Sequence, residues 1–280
     1  MERKSVRTTD GVRLGYLEGG EGRPLILLPG WSQGATIFGR QFEDLRQIGR
    51  VIALDHRGHG ESDKPDHGYK VERLAKDLFE VIDRLQLEEP DIVAHSMGAA
   101  VAWSYLLLFG AEKPARRLIF VDEPRALLAR PDWPEQEREQ AGAIIPSLQA
   151  LAEFVAKIRA SDSLESAAAI LRPMFTAAIG ESELRDIARE NLKLPRHHAA
   201  ALLADNVIQD WRPVIERISL PTLVFAGAAS VHPPASQTWI ADAISGAAFE
   251  LFSREEGGSH FLFYENPSRF NARVIKFLTS

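Results

Sequence analysis

The 280-residue sequence predicts an α/β fold in which a mostly parallel central sheet is flanked by helices. Two observations predict this class. Short apolar runs alternate with amphipathic stretches along the chain, and apolar residues within 70–86 recur at helical spacing. Strands are predicted at 12–17, 24–28, 50–54, 91–94, 117–121, 222–226 and 248–252. Helices are predicted at 70–86, from Ser96 onward, at 234–244 and at 267–278.

Each of these elements has its own local support. The run at 50–54, Arg-Val-Ile-Ala-Leu, is compact and β-branched, and 91–94 and 117–121 are apolar runs of the length of buried strands. The helix at 234–244 begins with a proline, whose fixed φ suits a first helical turn. The apolar residues that define the helix at 70–86 are Val71, Leu74, Leu78, Val81, Ile82 and Leu85.

Strand signals stop between residues 124 and 212. This stretch is charged, helix-prone and interrupted by five prolines. We interpret 124–212 as a helical cap insertion over one edge of the sheet, with 1–123 and 213–280 forming the core of a single domain. The alternative, a separate small domain, is disfavoured because no Gly/Ser-rich linker brackets the stretch.

Composition excludes several classes of function. The net charge of -6 gives no reason to expect nucleic acid or an anionic membrane as partner. Because the chain has no cysteine, disulfides, thiolate catalysis and cysteine-based zinc sites are excluded. The charged start has no apolar stretch behind it, and the apolar helix at 99–109 is shorter than the ~18 residues of a membrane span. We therefore expect a soluble cytoplasmic protein.

The most informative segment is a variant of the G-x-S-x-G pattern, centred on Ser96 between a predicted strand and a predicted helix. A serine in such a sharp turn needs small residues two positions away on either side, and Ala94 and Gly98 provide them. The turn would lift the hydroxyl above the sheet and leave the Met97 N–H at a helix N-terminus, where it can bind an oxyanion. The alternative is a serine that only caps a buried helix.

With this segment, the chain resembles the α/β-hydrolase superfamily over nearly its whole length. Residues 28–32 resemble the turn that supplies a second oxyanion-hole N–H, here from Trp31. Residues 55–62, Asp-His-Arg-Gly-His-Gly-Glu-Ser, resemble the D-x-R-G-x-G-x-S loop of that superfamily. Residues 257–261, Gly-Gly-Ser-His-Phe, lie where such enzymes carry the catalytic histidine. The resemblance implies an α/β-hydrolase fold.

Among eight histidines, His260 is the predicted general base, because a Gly-rich loop after a strand can carry its side chain to the carboxyl edge of the sheet. His95 either shapes the pocket or is a packed structural residue. We expect His232 at the surface. His56 and His59 are expected to be structural, and His197 and His198 to be solvent-exposed. The histidines show no metal-ligand spacing, so we expect no metal and no cofactor.

The catalytic acid departs from the common pattern. Most members of the superfamily carry it after the seventh strand, but residues 225–232 contain no carboxylate and Ser230 occupies its usual place. A minority carry the acid after the sixth strand, where this chain has Asp122. We predict that Asp122 accepts the Nδ1–H of His260. The alternatives are that Asp122 only caps a turn, and that Glu123 or no acid serves the histidine.

Two reactions fit these residues. The resemblance to bacterial esterases, lactonases and non-haem chloroperoxidases implies a serine hydrolase of a small ester, lactone or similar acyl compound. The chain also resembles the cofactor-independent 2,4-dioxygenases of 3-hydroxy-4-oxoquinolines, in the turn at 29–31, the acid position and the loop at 257–261. In that reaction a His260–Asp122 dyad deprotonates the substrate. Against this reaction, those enzymes have a histidine directly after the serine, where this chain has Met97. They also have a histidine near the position of Gln33.

Other functions fit less well. An intact serine, histidine and oxyanion turn disfavours a catalytically dead binding module, and a dehalogenase or epoxide hydrolase would need Asp at position 96. The expected partner is a small apolar or aromatic substrate, and a homodimer is left open. The expected pocket residues are His95, Gln33, Phe261 and Trp133, with Phe154, Met174, Phe175 and Trp211 as further candidates for the walls.

Overall fold

The computed structural model describes all residues from 1 to 280. Its eight strands are β1 Glu2–Arg7, β2 Arg13–Gly19, β3 Pro24–Leu28, β4 Arg50–Leu54, β5 Asp91–His95, β6 Leu118–Val121, β7 Thr222–Gly227 and β8 Ala248–Phe252. Its twelve α-helices are α1 Gly39–Leu45, α2 Val71–Arg84, α3 Met97–Phe109, α4 Glu135–Ala141, α5 Leu148–Arg159, α6 Leu164–Leu171, α7 Glu181–Asn191, α8 Arg196–Val207, α9 Arg212–Ile215, α10 Pro234–Ala243, α11 Leu262–Glu265 and α12 Pro267–Thr279. None of these helices has both the length and the apolar character needed to cross a bilayer.

All eight strands belong to one sheet, in the order β1-β2-β4-β3-β5-β6-β7-β8. The pairs β1–β2 and β2–β4 are antiparallel, and every later pair is parallel. The predicted α/β class with a mostly parallel sheet is therefore confirmed. Because the parallel strands share one direction, their carboxyl ends and the loops that follow lie along a single edge of the sheet.

The sheet is covered on both faces, which explains why its central strands are apolar throughout. Along β5, Ile92 and Ala94 pack into one apolar cluster, whereas Val93 between them packs into the other. This alternation is the two-residue side-chain period of a strand. The first cluster includes residues of α2, α3, α8 and α10, and the second includes residues of α1, α6, α7 and α12.

The seven strands predicted from the sequence are all present; three have the predicted bounds, and the ends of the other four differ by one or two residues. The eighth, β1, was missed because its sequence, Glu-Arg-Lys-Ser-Val-Arg, is almost entirely polar. It is an exposed edge strand held to β2 by main-chain hydrogen bonds, and charged side chains are typical of such edges. Helix α1 was also missed, since its seven residues are too few to show a clear helical period.

The residues between β6 and β7 form no strand, as the sequence predicted. They form helices α4 to α9, and their one β-type contact is an isolated bridge between Leu128 and Ile145. Helices α5 and α8 pack against each other, as do α6 and α7.

Candidate active site

The strand register places the candidate functional residues side by side. His95 at the end of β5 pairs with Val121 at the end of β6, so Ser96 and Asp122 follow directly on adjacent strands. The loops after β7 and β8 carry Ser230 and His260 to the same edge.

Ser96 occupies a strained turn between β5 and α3. Its φ of 51° and ψ of -135° lie outside the conformations that L-residues ordinarily adopt. A Cβ added to Gly98 would lie 2.5 Å from the Leu28 carbonyl oxygen, so only glycine fits where α3 passes the end of β3. Asp122 has a similar φ of 54°, so both residues are held at positive φ at the ends of neighbouring strands.

Two main-chain N–H groups near Ser96 are available to bind an oxyanion. Met97 is the first residue of α3, where an N–H has no acceptor within the helix. Trp31 follows β3 in a loop, and its N–H has no main-chain partner. A Cβ added to Gly30 would lie 2.9 Å from Ser96 Cβ, so this loop passes against the serine.

Two buried histidines hold the loop that carries Trp31. His56 Nε2–H donates to the Pro29 carbonyl oxygen at 3.1 Å, and the Ser32 N–H donates to His59 Nε2, also at 3.1 Å. Burial lowers the pKa of His56 to about 4 and the pKa of His59 to about 3, so both rings are neutral near pH 7. These contacts give the two histidines the structural role that the sequence predicted.

His260 is hydrogen-bonded to the buried Asp122 side chain. His260 Nδ1–H donates to Asp122 Oδ2 at 2.6 Å, and Asp122 is fully buried. The same oxygen accepts a hydrogen bond from Ser230 Oγ at 2.5 Å. A carboxylate in this position favours the tautomer that leaves Nε2 of the imidazole free to accept a proton.

Ser96 and His260 line the same cavity but are not hydrogen-bonded to each other. The Ser96 hydroxyl donates to Glu123 Oε2 at 3.5 Å. His260 Nε2 has no hydrogen-bond partner, and protein atoms do not completely enclose it. Both groups are therefore accessible to a molecule in the cavity, and a rotation about the Ser96 Cα–Cβ bond changes the partner of the hydroxyl.

His95 lies beneath the His260 loop. Its Nε2–H donates to the His260 carbonyl oxygen at 3.0 Å, and the two ring centroids are 4.7 Å apart. Burial holds the pKa of His95 well below its ordinary value, so the ring is neutral. His95 both lines the cavity and fixes the main chain of His260.

The cavity has a volume of about 290 Å³, and 14 of its 24 lining residues are hydrophobic. Seven of the residues predicted for the site line it: Trp31, Gln33, His95, Ser96, Met97, His260 and Phe261. Two of the further wall candidates, Phe154 and Met174, also line it. Phe175 stacks on Phe261 at 4.4 Å between ring centroids, behind the wall, and Trp211 packs against Trp103 in the core.

The expectation that Trp133 lines the pocket is wrong. Its ring packs in a small separate cluster with Ala126 and Ala141. The guanidinium groups of three arginines each lie 5.3 Å from the centroid of the Trp133 ring: Arg125, Arg130 and Arg212. Cations at this distance are attracted to the face of an aromatic ring.

Two expectations about histidine exposure are also wrong. His198 is buried and its ring stacks on Tyr69 at 3.9 Å, whereas its neighbour His197 is exposed as expected. His232, expected at the surface, is buried and lines the cavity with its ring 5.1 Å from that of His260.

The burial of His232 also brings together a group with metal-binding chemistry. Asp122, His232 and His260 each offer a ligand atom, and these atoms lie within 4.8 Å of one another. Two imidazoles and a carboxylate are ligands that zinc accepts. A metal bound there would compete with the Asp122–His260 hydrogen bond, because both use the same carboxylate and imidazole.

Besides His232, the cavity wall contains a buried polar pair that was not predicted to line it. Glu123 and Asn206 are both buried, and Asn206 Nδ2–H donates to Glu123 Oε1 at 3.1 Å. Burial raises the pKa of Glu123 to about 8, with the neighbouring Asp122 adding to the shift. The carboxyl group is therefore mostly neutral at pH 7.

With this sheet and this arrangement of its loops, the chain has the architecture of a hydrolase-type enzyme. The sequence model of the alpha/beta hydrolase fold matches residues 23–267. The chain therefore belongs to the α/β-hydrolase fold family, as its sequence motifs implied.

Individual relatives cover the chain almost end to end. The AB hydrolase superfamily protein YisY of Bacillus subtilis is 26% identical over 281 residues, with 98% of each chain covered. Among solved structures, an esterase from Exiguobacterium antarcticum has a TM-score of 0.87 at 23% identity, with 99% of both chains covered. A bromoperoxidase from Bacillus anthracis has a TM-score of 0.88 at 21% identity over the full length of both. These two structural likenesses show a common fold.

Proposed function

We propose that the chain is a serine hydrolase that cleaves a small ester, lactone or related acyl substrate through Ser96, His260 and Asp122. The observation that carries this proposal is the His260–Asp122 hydrogen bond of 2.6 Å, which presents a free Nε2 to the cavity that Ser96 also lines. Nucleophilic catalysis by serine needs such a base, held in one tautomer by a third group.

In the proposed reaction, Ser96 Oγ attacks the carbonyl carbon of the substrate while His260 Nε2 takes the hydroxyl proton. The Trp31 and Met97 N–H groups donate to the oxyanion of the tetrahedral intermediate. Collapse breaks the bond to the leaving alcohol, which takes the proton from His260 and departs. Water then attacks the acyl-enzyme with His260 again as base, which releases the acid and restores Ser96.

The residues that enclose the substrate support a cap. Cavity-lining residues come from α5, α6 and α8, all between 124 and 212, and they include Phe154, Ile170 and Leu203. We infer that 124–212 is a helical cap over a core formed by 1–123 and 213–280. The apolar walls fit a small apolar or aromatic substrate.

The proposal is tested by assaying p-nitrophenyl esters of short acyl chains. We expect wild-type turnover without added metal and a loss of about 10⁴-fold or more in kcat for Ser96→Ala. A rapid burst of nitrophenol equal to the enzyme concentration would mark the acyl-enzyme. Full ester turnover by Ser96→Ala would overturn the serine mechanism.

A second candidate reaction uses only the dyad. The observation that favours it is that the His260–Asp122 pair is formed while the Ser96 hydroxyl is directed to Glu123. In this reaction His260 deprotonates the ring hydroxyl of a 3-hydroxy-4-oxoquinoline-type substrate, and the anion reacts with O₂. Oxygen uptake with such a substrate, without added metal and unaffected by Ser96→Ala, would favour this candidate over the hydrolase.

A further inference from the structure

The wall of the cavity next to Ser96 contains a buried polar pair, Glu123 and Asn206. Glu123 follows Asp122 at the end of β6, and Asn206 reaches it from α8. Glu123 Oε2 is 3.5 Å from Ser96 Oγ, so the pair lies beside the reacting hydroxyl. The surrounding wall is apolar, with Leu203 and Val207 on the same helix as Asn206.

The hydrogen bonds of the pair orient the Glu123 carboxyl group. Oε1 accepts from Asn206 Nδ2–H, so Oε2 is the oxygen that faces Ser96. When the Ser96 hydroxyl turns toward His260 for catalysis, Oε2 loses that partner and is free to pair with a bound molecule.

Asn206 holds the carboxyl group in this orientation. It is buried on α8, and its Nδ2–H is the side-chain donor to Oε1. A buried polar group left without a partner is destabilising, so Oε2 favours a ligand group that replaces the serine hydroxyl.

We propose that Glu123 and Asn206 form a polar subsite that recognises a hydroxyl group on the acyl part of the substrate. A hydroxyl on the substrate can pair with Glu123 Oε2 in place of the Ser96 hydroxyl. A plain alkyl chain would leave that oxygen unpaired. The inference rests on the proposed hydrolase function and names the substrate class of that site.

The distance to the nucleophile restricts where the hydroxyl lies. A carbonyl carbon poised for attack lies roughly 3–3.5 Å from the serine oxygen. Glu123 Oε2 lies at a similar distance from that oxygen, 3.5 Å. The hydroxyl must therefore be on one of the first carbons after the carbonyl, and acyl groups hydroxylated at C2 or C3 fit.

The test compares p-nitrophenyl butyrate with the p-nitrophenyl esters of 2-hydroxybutyrate and of each enantiomer of 3-hydroxybutyrate. The measured quantity is the ratio of kcat/KM for a hydroxylated ester to kcat/KM for butyrate, divided by the ratio of their alkaline hydrolysis rates. For the wild type we expect at least about a tenfold preference for one hydroxylated ester.

Variants separate recognition from a structural role. Glu123→Met keeps the length but removes the polar group, and Asn206→Leu removes the hydrogen bond that orients it; each should lower the preference about tenfold. Glu123→Gln keeps a polar group that can pair with a hydroxyl at this position and should retain most of the preference. Leu203→Ala, on the apolar wall beside Asn206, should change kcat/KM of both esters alike and leave the ratio unchanged. Thermal melting checks that each variant folds. Where a variant does not fold, the kcat/KM ratio of the wild type alone tests the subsite.

The outcomes distinguish this inference from the proposed function. Turnover of both esters with a wild-type ratio near one would overturn the subsite and leave the hydrolase standing. The same holds if Glu123→Met and Asn206→Leu slow both esters equally. No turnover of any ester by the wild type would instead overturn the hydrolase, and the subsite with it.

Discussion

Ser230 donates a hydrogen bond to Asp122 Oδ2, the same oxygen that accepts the Nδ1–H of His260. Ser230 follows β7, where the resemblance to the superfamily had implied an acid, whereas the carboxylate of Asp122 follows β6. The side chains at the two strand ends meet at 2.5 Å, so a carboxylate on either strand can reach the same region of the site. In this chain the serine holds the carboxylate in place.

Removing the charge of Asp122 should affect turnover far more than removing the Ser230 hydroxyl. We expect Asp122→Asn to lower kcat by about 10⁴-fold, because the amide favours the wrong tautomer of His260. Ser230→Ala removes one hydrogen bond from a carboxylate that keeps its partner, so we expect a loss of about three- to tenfold. Ester hydrolysis under single-turnover conditions measures both, and equal losses would contradict Asp122 as the acid.

The contact between Asp122 and Ser230 further predicts that the acid can be relocated. In an Asp122→Asn background, Ser230→Asp places a carboxylate on the neighbouring strand end, within reach of the His260 ring. We expect it to restore kcat at least about tenfold over Asp122→Asn alone, since it again offers an anion to His260. Ser230→Asn in the same background is the control and should restore nothing. A folded double variant with no gain would argue against relocation.

Much of this arrangement was predictable from local sequence patterns. Motifs of five to eight residues identified Ser96, Trp31 and His260, because the sharp turns that carry them need glycines and other small residues at fixed positions. The fold brings them to one cavity. Asp122 was predictable because it follows an apolar run and no carboxylate follows β7.

The remainder depended on contacts between residues far apart in the chain. Glu123 was considered only as an alternative acid, since its partner Asn206 lies 83 residues further on. His232 was placed at the surface because nothing in its neighbourhood shows that the loop turns inward over His260. Trp133 was assigned to the pocket on residue type alone, and the arginines that surround it come from separate segments.

The close approach of Gly30 to Ser96 predicts strong sensitivity to one added methyl group. In Gly30→Ala the new Cβ would lie 2.9 Å from Ser96 Cβ and 3.1 Å from His95 Nδ1, so the Ser96 turn or the loop that carries Trp31 must shift. A displacement of about 1 Å at a reacting group costs on the order of 10²-fold in kcat/KM. Gly39→Ala, where nothing lies within 4 Å of the new Cβ, is the matched control and should leave kcat/KM unchanged. Equal activity of the two variants would show that the loop tolerates the methyl group.

The burial of Glu123 predicts a measurable pH dependence of stability. Its pKa is about 8 in the folded chain and near the ordinary value of 4.5 in the unfolded chain. Between these pH values the folded state binds a proton that the unfolded state does not, so the free energy of unfolding falls as pH rises, by at most about 1.4 kcal/mol per pH unit.

Glu123→Gln isolates this contribution, because an amide does not titrate. Buried histidines with lowered pKa values, such as His56 and His232, act in the opposite direction, and stability falls as pH drops below about 6.5. They are present in both proteins, so their contribution cancels in the difference. Urea unfolding at pH 5 and pH 8 should show the wild type losing stability relative to Glu123→Gln as pH rises. Parallel stability curves for the two proteins would mean that Glu123 is ionised in the folded chain.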